Sequence, residues 1–157
     1  MAAFEWNSAA GGLTINSVDM TGPAWQVMNL HVLWLPASQR GSDVIIPGVA
    51  GRKAYQRFAD ATTRTLEMKI TGTVDRTGAT NSDLFEGLQA NIDYLITNVV
   101  NPPGSGDGTR SMVLTMPDAT TRTEPVHVLG MEFGDLNESG QWVRAALDIS
   151  IPSGRVI

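Results

Sequence analysis

Thr65-Leu66-Glu67-Met68-Lys69-Ile70-Thr71-Gly72-Thr73-Val74 alternates apolar and polar side chains almost without exception. Leu66, Met68, Ile70 and Val74 share one face; Glu67, Lys69, Thr71 and Thr73 share the other. This is the period-two pattern of a strand with one buried side. Asp75-Arg76-Thr77-Gly78 then reads as a turn. Upstream, residues 36 to 63 show no sustained periodicity, yet they hold Val44, Ile45, Ile46, Tyr55 and Phe58. Structureless connections longer than about 12 to 15 residues are uncommon in compact domains and are usually functional or disordered. The apolar content argues against disorder. The stretch therefore predicts an extended arm that packs against something, with a neighbouring subunit the obvious candidate.

Downstream, Leu84, Leu88, Ile92, Leu95, Ile96 and Val99 recur at helical spacing, which predicts a helix from about Ser82 to Val99. Thr80 with Asp83 three residues on resembles a capping box, and Ser82 is an equally good N-cap. Pro102-Pro103 prevents continuation, and residues 101–109 (NPPGSGDGT) form a turn-rich loop. Strands follow at Ser111–Met116, Arg122–Phe133 and Gln141–Ile151. The last has Val143, Ala145, Leu147, Ile149 and Ile151 on one face and Arg144, Asp148 and Ser150 on the other. Asn137 to Gly140 closes the hairpin before it, Gly140 suiting a left-handed position. Near the start, Leu13–Met20 reads as one short strand. Ala24–Leu35 (AWQVMNLHVLWL) reads as a strand buried on both sides, which places His31 in a core or interface.

Strands, one helix and strands again predict a mainly β chain with one α-helix (α+β), a single domain over residues 1–157. The helix should cover the sheet face carrying Leu66, Met68, Ile70, Leu147 and Ile149. Glu67, Lys69, Thr71, Thr73, Arg144 and Asp148 should share the opposite, polar face.

The composition excludes several function classes. The chain of 157 residues has no Cys, so disulfides and thiolate metal sites are impossible. No apolar run reaches the roughly 18 residues of a membrane span, and the N-terminus lacks a basic segment followed by an apolar one, so no membrane insertion is expected. Sixteen acidic against eleven basic residues disfavour tight nucleic-acid binding. His31 and His127 are the only histidines, and neither has partners at metal-ligand spacing. The 101–109 loop lacks the Gly-Lys-Ser/Thr ending of a phosphate loop, and Asp107 alone falls short of a calcium site. A carboxylate pair for sugar hydrolysis is the one enzymatic arrangement left open. The expectation is a protein with no catalytic site, cofactor or metal.

Arg40-Gly41-Ser42-Asp43-Val44-Ile45-Ile46-Pro47-Gly48-Val49-Ala50-Gly51, followed by Asp60, Arg64-Thr65-Leu66 and a strand ending in Gly72, resembles the N-terminal domain of siphophage distal tail proteins. These are grouped with phage tail-tube subunits. The plain alternative is that Pro47-Gly48 is an ordinary type II turn. The resemblance implies a tail-tube-like β-sandwich or half-barrel with a long extended arm. It implies a structural virion protein, assembled in the host cytoplasm, that forms a hexameric ring at the distal end of the tail tube and joins the tube to the tip or baseplate. The partners would be further copies of itself and the tail proteins above and below, with DNA only as passing cargo during genome ejection. Glu67, Lys69, Thr71, Thr73, Arg144 and Asp148 would then line the lumen, where mixed charge lets DNA slide without sticking. A solvent-facing sheet predicts the same residues. Val44, Ile45, Ile46, Pro47, Gly48, Tyr55 and Phe58 would form the inter-subunit arm, with Pro47 ending its backbone pairing for want of an N–H.

Two alternatives stand beside the distal ring. One is a major tail-tube subunit. The other is a carbohydrate-binding β-sandwich for host attachment, using Trp6, Trp25, Trp34 or Trp142 as stacking platforms. Trp25 and Trp34 lie in the most apolar stretch, where core packing is the default. Distal tail proteins often carry a second, sugar-binding-like domain, for which 157 residues leave no room. That favours a minimal ring protein or a tube subunit.

Overall fold

The computed structural model describes residues 12–34, 39–40, 44–45, 52–53, 58–59, 62–104, 108–116, 118–137 and 141–153. Along them run β1 (Leu13–Ile15), β2 (Val18–Asp19), β3 (Trp25–Val27), a 3-10 helix (Leu30–Trp34), β4 (Gln39–Arg40), β5 (Val44–Ile45), β6 (Arg52–Lys53) and β7 (Phe58–Ala59). Then come β8 (Thr62–Thr71), α1 (Leu84–Leu95), β9 (Thr109–Thr115), β10 (Thr121–Leu136) and β11 (Trp142–Ile151). The chain is mainly β with one α-helix.

The alternating stretch is β8, which starts three residues earlier than its pattern and ends at Thr71. It pairs with β11 along its whole length, Thr62 opposite Ile151 and Thr71 opposite Trp142. Seven strands form one antiparallel sheet in the order β2-β1-β9-β10-β11-β8-β3. The sheet curls until its outer strands meet. Val27 donates its backbone N–H to the Met20 carbonyl at 3.1 Å, and the Trp25 indole donates to the Asp19 carbonyl at 2.7 Å. One face of the curled sheet supplies Leu13, Ile15, Leu66, Met68, Ile70, Met112, Leu114, Leu147 and Ile149 to a single buried cluster, closed by Leu88, Leu95 and Val99 of the helical segment. Among the described residues the helix packs against the apolar face of this curled sheet, as the apolar stripe predicted.

Several elements differ from their sequence pattern. Leu13–Met20 is two strands joined by a tight turn, with Asn16 and Ser17 both left-handed (φ 52° and 63°). That geometry suits the right-handed twist of a two-residue hairpin. Ala24–Leu35 is not a long strand. After Val27 the Asn29 side chain takes over, donating to the Thr65 carbonyl (3.0 Å) and accepting from the Glu67 N–H (2.7 Å). With the edge of β8 satisfied by one amide, the chain leaves the sheet as a 3-10 helix. His31 lies on that helix and is exposed, not in a core. The N-cap of α1 is Asp83, whose Oδ1 accepts from the N–H groups of Phe85 and Glu86, both at 2.9 Å. Thr80 is engaged earlier, bridged to Val74. After Leu95 the helix widens into a π turn over Ile96–Val100, closed by Asn101 N–H on the Ile96 carbonyl at 2.8 Å. Gly140 lies outside the described residues.

The arm is described only in part. Gln39 and Arg40 pair with Ala59 and Phe58, and Val44 and Ile45 pair with Lys53 and Arg52. The rest of residues 36–61 lies outside the described residues.

Candidate functional site

Because β8 and β11 are in register, Glu67, Lys69 and Thr71 share a sheet face with Arg144 and Asp148. Lys69 stands directly opposite Arg144, with Gln26 of β3 on its other side. Facing like charges destabilise a strand pair, and here an aromatic ring offsets them. Lys69 Nζ lies 4.4 Å from the centre of the Trp142 ring and Arg144 Cζ lies 5.9 Å from it, both within cation–π range. Glu67 and Glu132 flank Ala146 from the two neighbouring strands, bringing negative charge beside the two cations. Asp148 accepts a 2.6 Å hydrogen bond from the Thr65 hydroxyl. Thr71 and Thr73 join through their hydroxyls at 3.0 Å. Glu67, Lys69 and Arg144 are exposed; Thr71, Thr73 and Asp148 are half-buried. The surface is mixed in sign and opposite the helix.

The arm residues are placed only in part. Val44, Ile45 and Phe58 lie in short paired strands. Ile46, Pro47, Gly48 and Tyr55 lie outside the described residues, as does Asp107.

His31 sits on the 3-10 helix and His127 on β10 opposite Ser150 and Thr109. Among the described residues no three His, Asp or Glu side chains group so as to hold a metal. No helix there is long and apolar enough to cross a membrane. Trp25 is only 4 % exposed and stacks on Tyr94 with ring centres 5.7 Å apart, and Arg76 covers Tyr94 in turn at 4.6 Å. Trp142 carries Lys69 on its ring. Neither presents a bare platform for a sugar.

Three features went unread in the sequence. Asn91 is buried on the helix stripe, and its side-chain amide donates to the Thr71 (2.7 Å) and Val74 (2.9 Å) carbonyls where β8 ends. Its signal was a polar residue at helical spacing between Leu88 and Leu95. Gly72 and Gly87 let strand and helix approach closely: a Cβ on Gly72 would collide with the Leu84 carbonyl, and one on Gly87 with Asn81 and the Gly72 carbonyl. Finally, Phe85 (65 % exposed), Phe133 (44 %) and Leu136 (43 %) leave an apolar groove between the start of α1 and the end of β10.

No family model and no curated protein sequence matches the chain. A solved structure does. The crystal structure of phage SPP1 Dit, a paradigm of the hub adsorption apparatus in phages that infect Gram-positive bacteria, superposes with a TM-score of 0.52 at 14 % identity. The chain has the SPP1 Dit fold. The match covers 89 % of this chain and 49 % of Dit, so the chain spans about half of Dit's length. At that identity Dit informs the architecture, the curled sheet with its helix, and not the role of individual side chains.

Proposed function

We propose that this protein is a structural component of a phage tail, forming a ring at the distal end of the tail tube. There it joins the tube to the tip or baseplate and leaves a lumen for DNA. The observation that carries this reading is the fold shared with SPP1 Dit over 89 % of the chain. The polar face supports it. A sheet surface carrying Glu67, Lys69, Arg144 and Asp148 in mixed sign offers DNA no continuous basic track, and tight phosphate binding needs one. On this reading the ring is a hexamer, stacks against other tail proteins above and below, resides in the virion and is assembled in the host cytoplasm. The protein then acts without catalysis or cofactor. Since Trp25 is packed and Trp142 carries its cations, sugar binding is the weaker reading. A tube subunit differs from a distal ring in how rings stack.

Light scattering on concentrated protein tests the proposal. A discrete ring mass is expected for a distal protein and open-ended growth for a tube subunit. A monomer that stays monomeric even with its neighbouring tail proteins overturns both.

A further inference from the structure

Where α1 meets the end of β10, an apolar cleft lies uncovered among the described residues. It holds about 170 Å³ and is walled by Phe85, Leu88 and Ile92 on the helix side and by Phe133, Leu136 and Val143 on the sheet side. Beside it runs a strand edge. β10 pairs with β9 only from Thr121 to His127, and from Val128 to Leu136 it pairs with β11 alone among the described residues. Free backbone N–H and C=O groups next to an apolar cleft suit an added strand, which satisfies the edge while every second side chain enters the cleft.

The register on β11 dictates what such a strand must carry. Two irregularities, between Val128 and Gly130 and between Phe133 and Leu136, bracket a regular run from Gly130 to Phe133. Within it Met131 and Phe133 lie opposite Leu147 and Ala145, both buried, and so take the core-side face. Glu132 lies opposite Ala146 and takes the polar face. Side chains directly opposite one another on neighbouring strands share a face and interact. The added strand therefore needs apolar residues beside Met131 and Phe133 and a cation beside Glu132. The other charge on this part of β10, Asp135, is acidic as well, both carboxylates are exposed, and no Lys or Arg occurs from Val128 to Leu136.

These charges also decide between a second copy and a different protein. Two copies laying this edge against each other would bring four carboxylates together, and charged side chains on an edge strand are a common device against such self-pairing. The chain as a whole carries a net charge of −5. A basic segment meets no such barrier and is steered towards the edge by the same charges.

We propose that the edge of β10 from Val128 to Leu136 docks an extended segment of a different protein, one that alternates apolar residues with Lys or Arg and joins the sheet as an added strand, its apolar side chains entering the cleft beside Phe85 and Phe133. Such a site works in a monomer and in a ring alike, so it stands apart from the ring reading above.

Random peptides about ten residues long, the length of a strand, displayed on messenger RNA and selected on the parent protein, test the site. The counter-selection uses a variant with Glu132→Lys and Asp135→Lys, both at exposed positions. The enriched peptides should alternate apolar residues with Lys or Arg, and should bind the parent roughly tenfold or more tighter than they bind either the charge-reversed variant or Phe85→Asp. They should also slow amide hydrogen exchange along Val128–Leu136. Failure to enrich any peptide that discriminates against the charge-reversed variant overturns the proposal. So does enrichment of acidic or non-alternating peptides, or of peptides that bind but leave exchange along Val128–Leu136 unchanged. Slowed exchange there on raising the concentration of the protein alone would show that a second copy fills the edge, and overturns it too.

Discussion

Asn91 shows how a single side chain can fix the joint between strand and helix. It replaces strand hydrogen bonds at the point where β8 ends and leaves the Thr71 and Val74 carbonyls satisfied inside the core. Asn91→Leu keeps the branched shape but orphans both, and an unsatisfied buried acceptor costs about 1–3 kcal/mol. Urea denaturation of the variant should show that loss with an unchanged slope. On the polar face, a double-mutant cycle on Lys69 and Trp142 should return a coupling of about 0.5–1 kcal/mol, the range of exposed cation–π pairs. The loops repeat one device: Asp19-Met20-Thr21, Asp75-Arg76-Thr77 and Asp118-Ala119-Thr120 each turn their aspartate back onto the threonine N–H and hydroxyl. The Thr77 and Thr120 hydroxyls, aided by backbone N–H groups, hold Asp75 and Asp118 below the ordinary carboxylate range. A lowered folded pKa gives stability that is present above the unfolded carboxylate pKa, about 4, and lost as pH falls through the folded value. The drop in Tm between pH 5 and pH 3 should therefore be smaller in an Asp75→Asn, Asp118→Asn variant than in the parent.

At the scale of elements, the helix stripe separates core from surface along one face. Leu88 is 4 % exposed and Phe85 65 %. Leu88→Asp places an unpaired carboxylate in the core and should cost several kcal/mol, whereas Phe85→Asp should change monomer stability by no more than about 0.5 kcal/mol. Equal melting temperatures for the two variants would contradict the packing described. This helix, β8 and β11 were legible in the sequence because each has one buried face and a long enough run to show its period. The segment Ala24–Leu35 was not. Its apolar density came from two short elements, β3 and the 3-10 helix, and the Asn29 amide that divides them makes long-range bonds that no local pattern reveals. The arm was legible as apolar and irregular but not as paired, since its described ladders are two residues each, too short for alternation to register. The polar face was legible residue by residue. Its meaning was not, because a lumen and a solvent-facing sheet select the same side chains. Phe85 and Phe133 escaped notice as a pair because the register of β10 on β11 and the course of the helix bring them together.

At the scale of the whole molecule, a curled sheet that closes its core with one helix still leaves, among the described residues, an apolar groove and a strand edge of β10 without a sheet partner. Such features suit a subunit that completes itself by association. Ile45→Asp should then leave the monomer folded, as judged by circular dichroism, while abolishing assembly; an unfolded variant would place the arm in the subunit's own core. The central claim is that the protein closes into a ring around a lumen, and negative-stain electron microscopy of the concentrated protein tests it most directly. Closed particles with a central hole, built from about six copies of the 16.8 kDa chain, singly or stacked, are the expected result. A field of dispersed monomers, unchanged when neighbouring tail proteins are added, would contradict it.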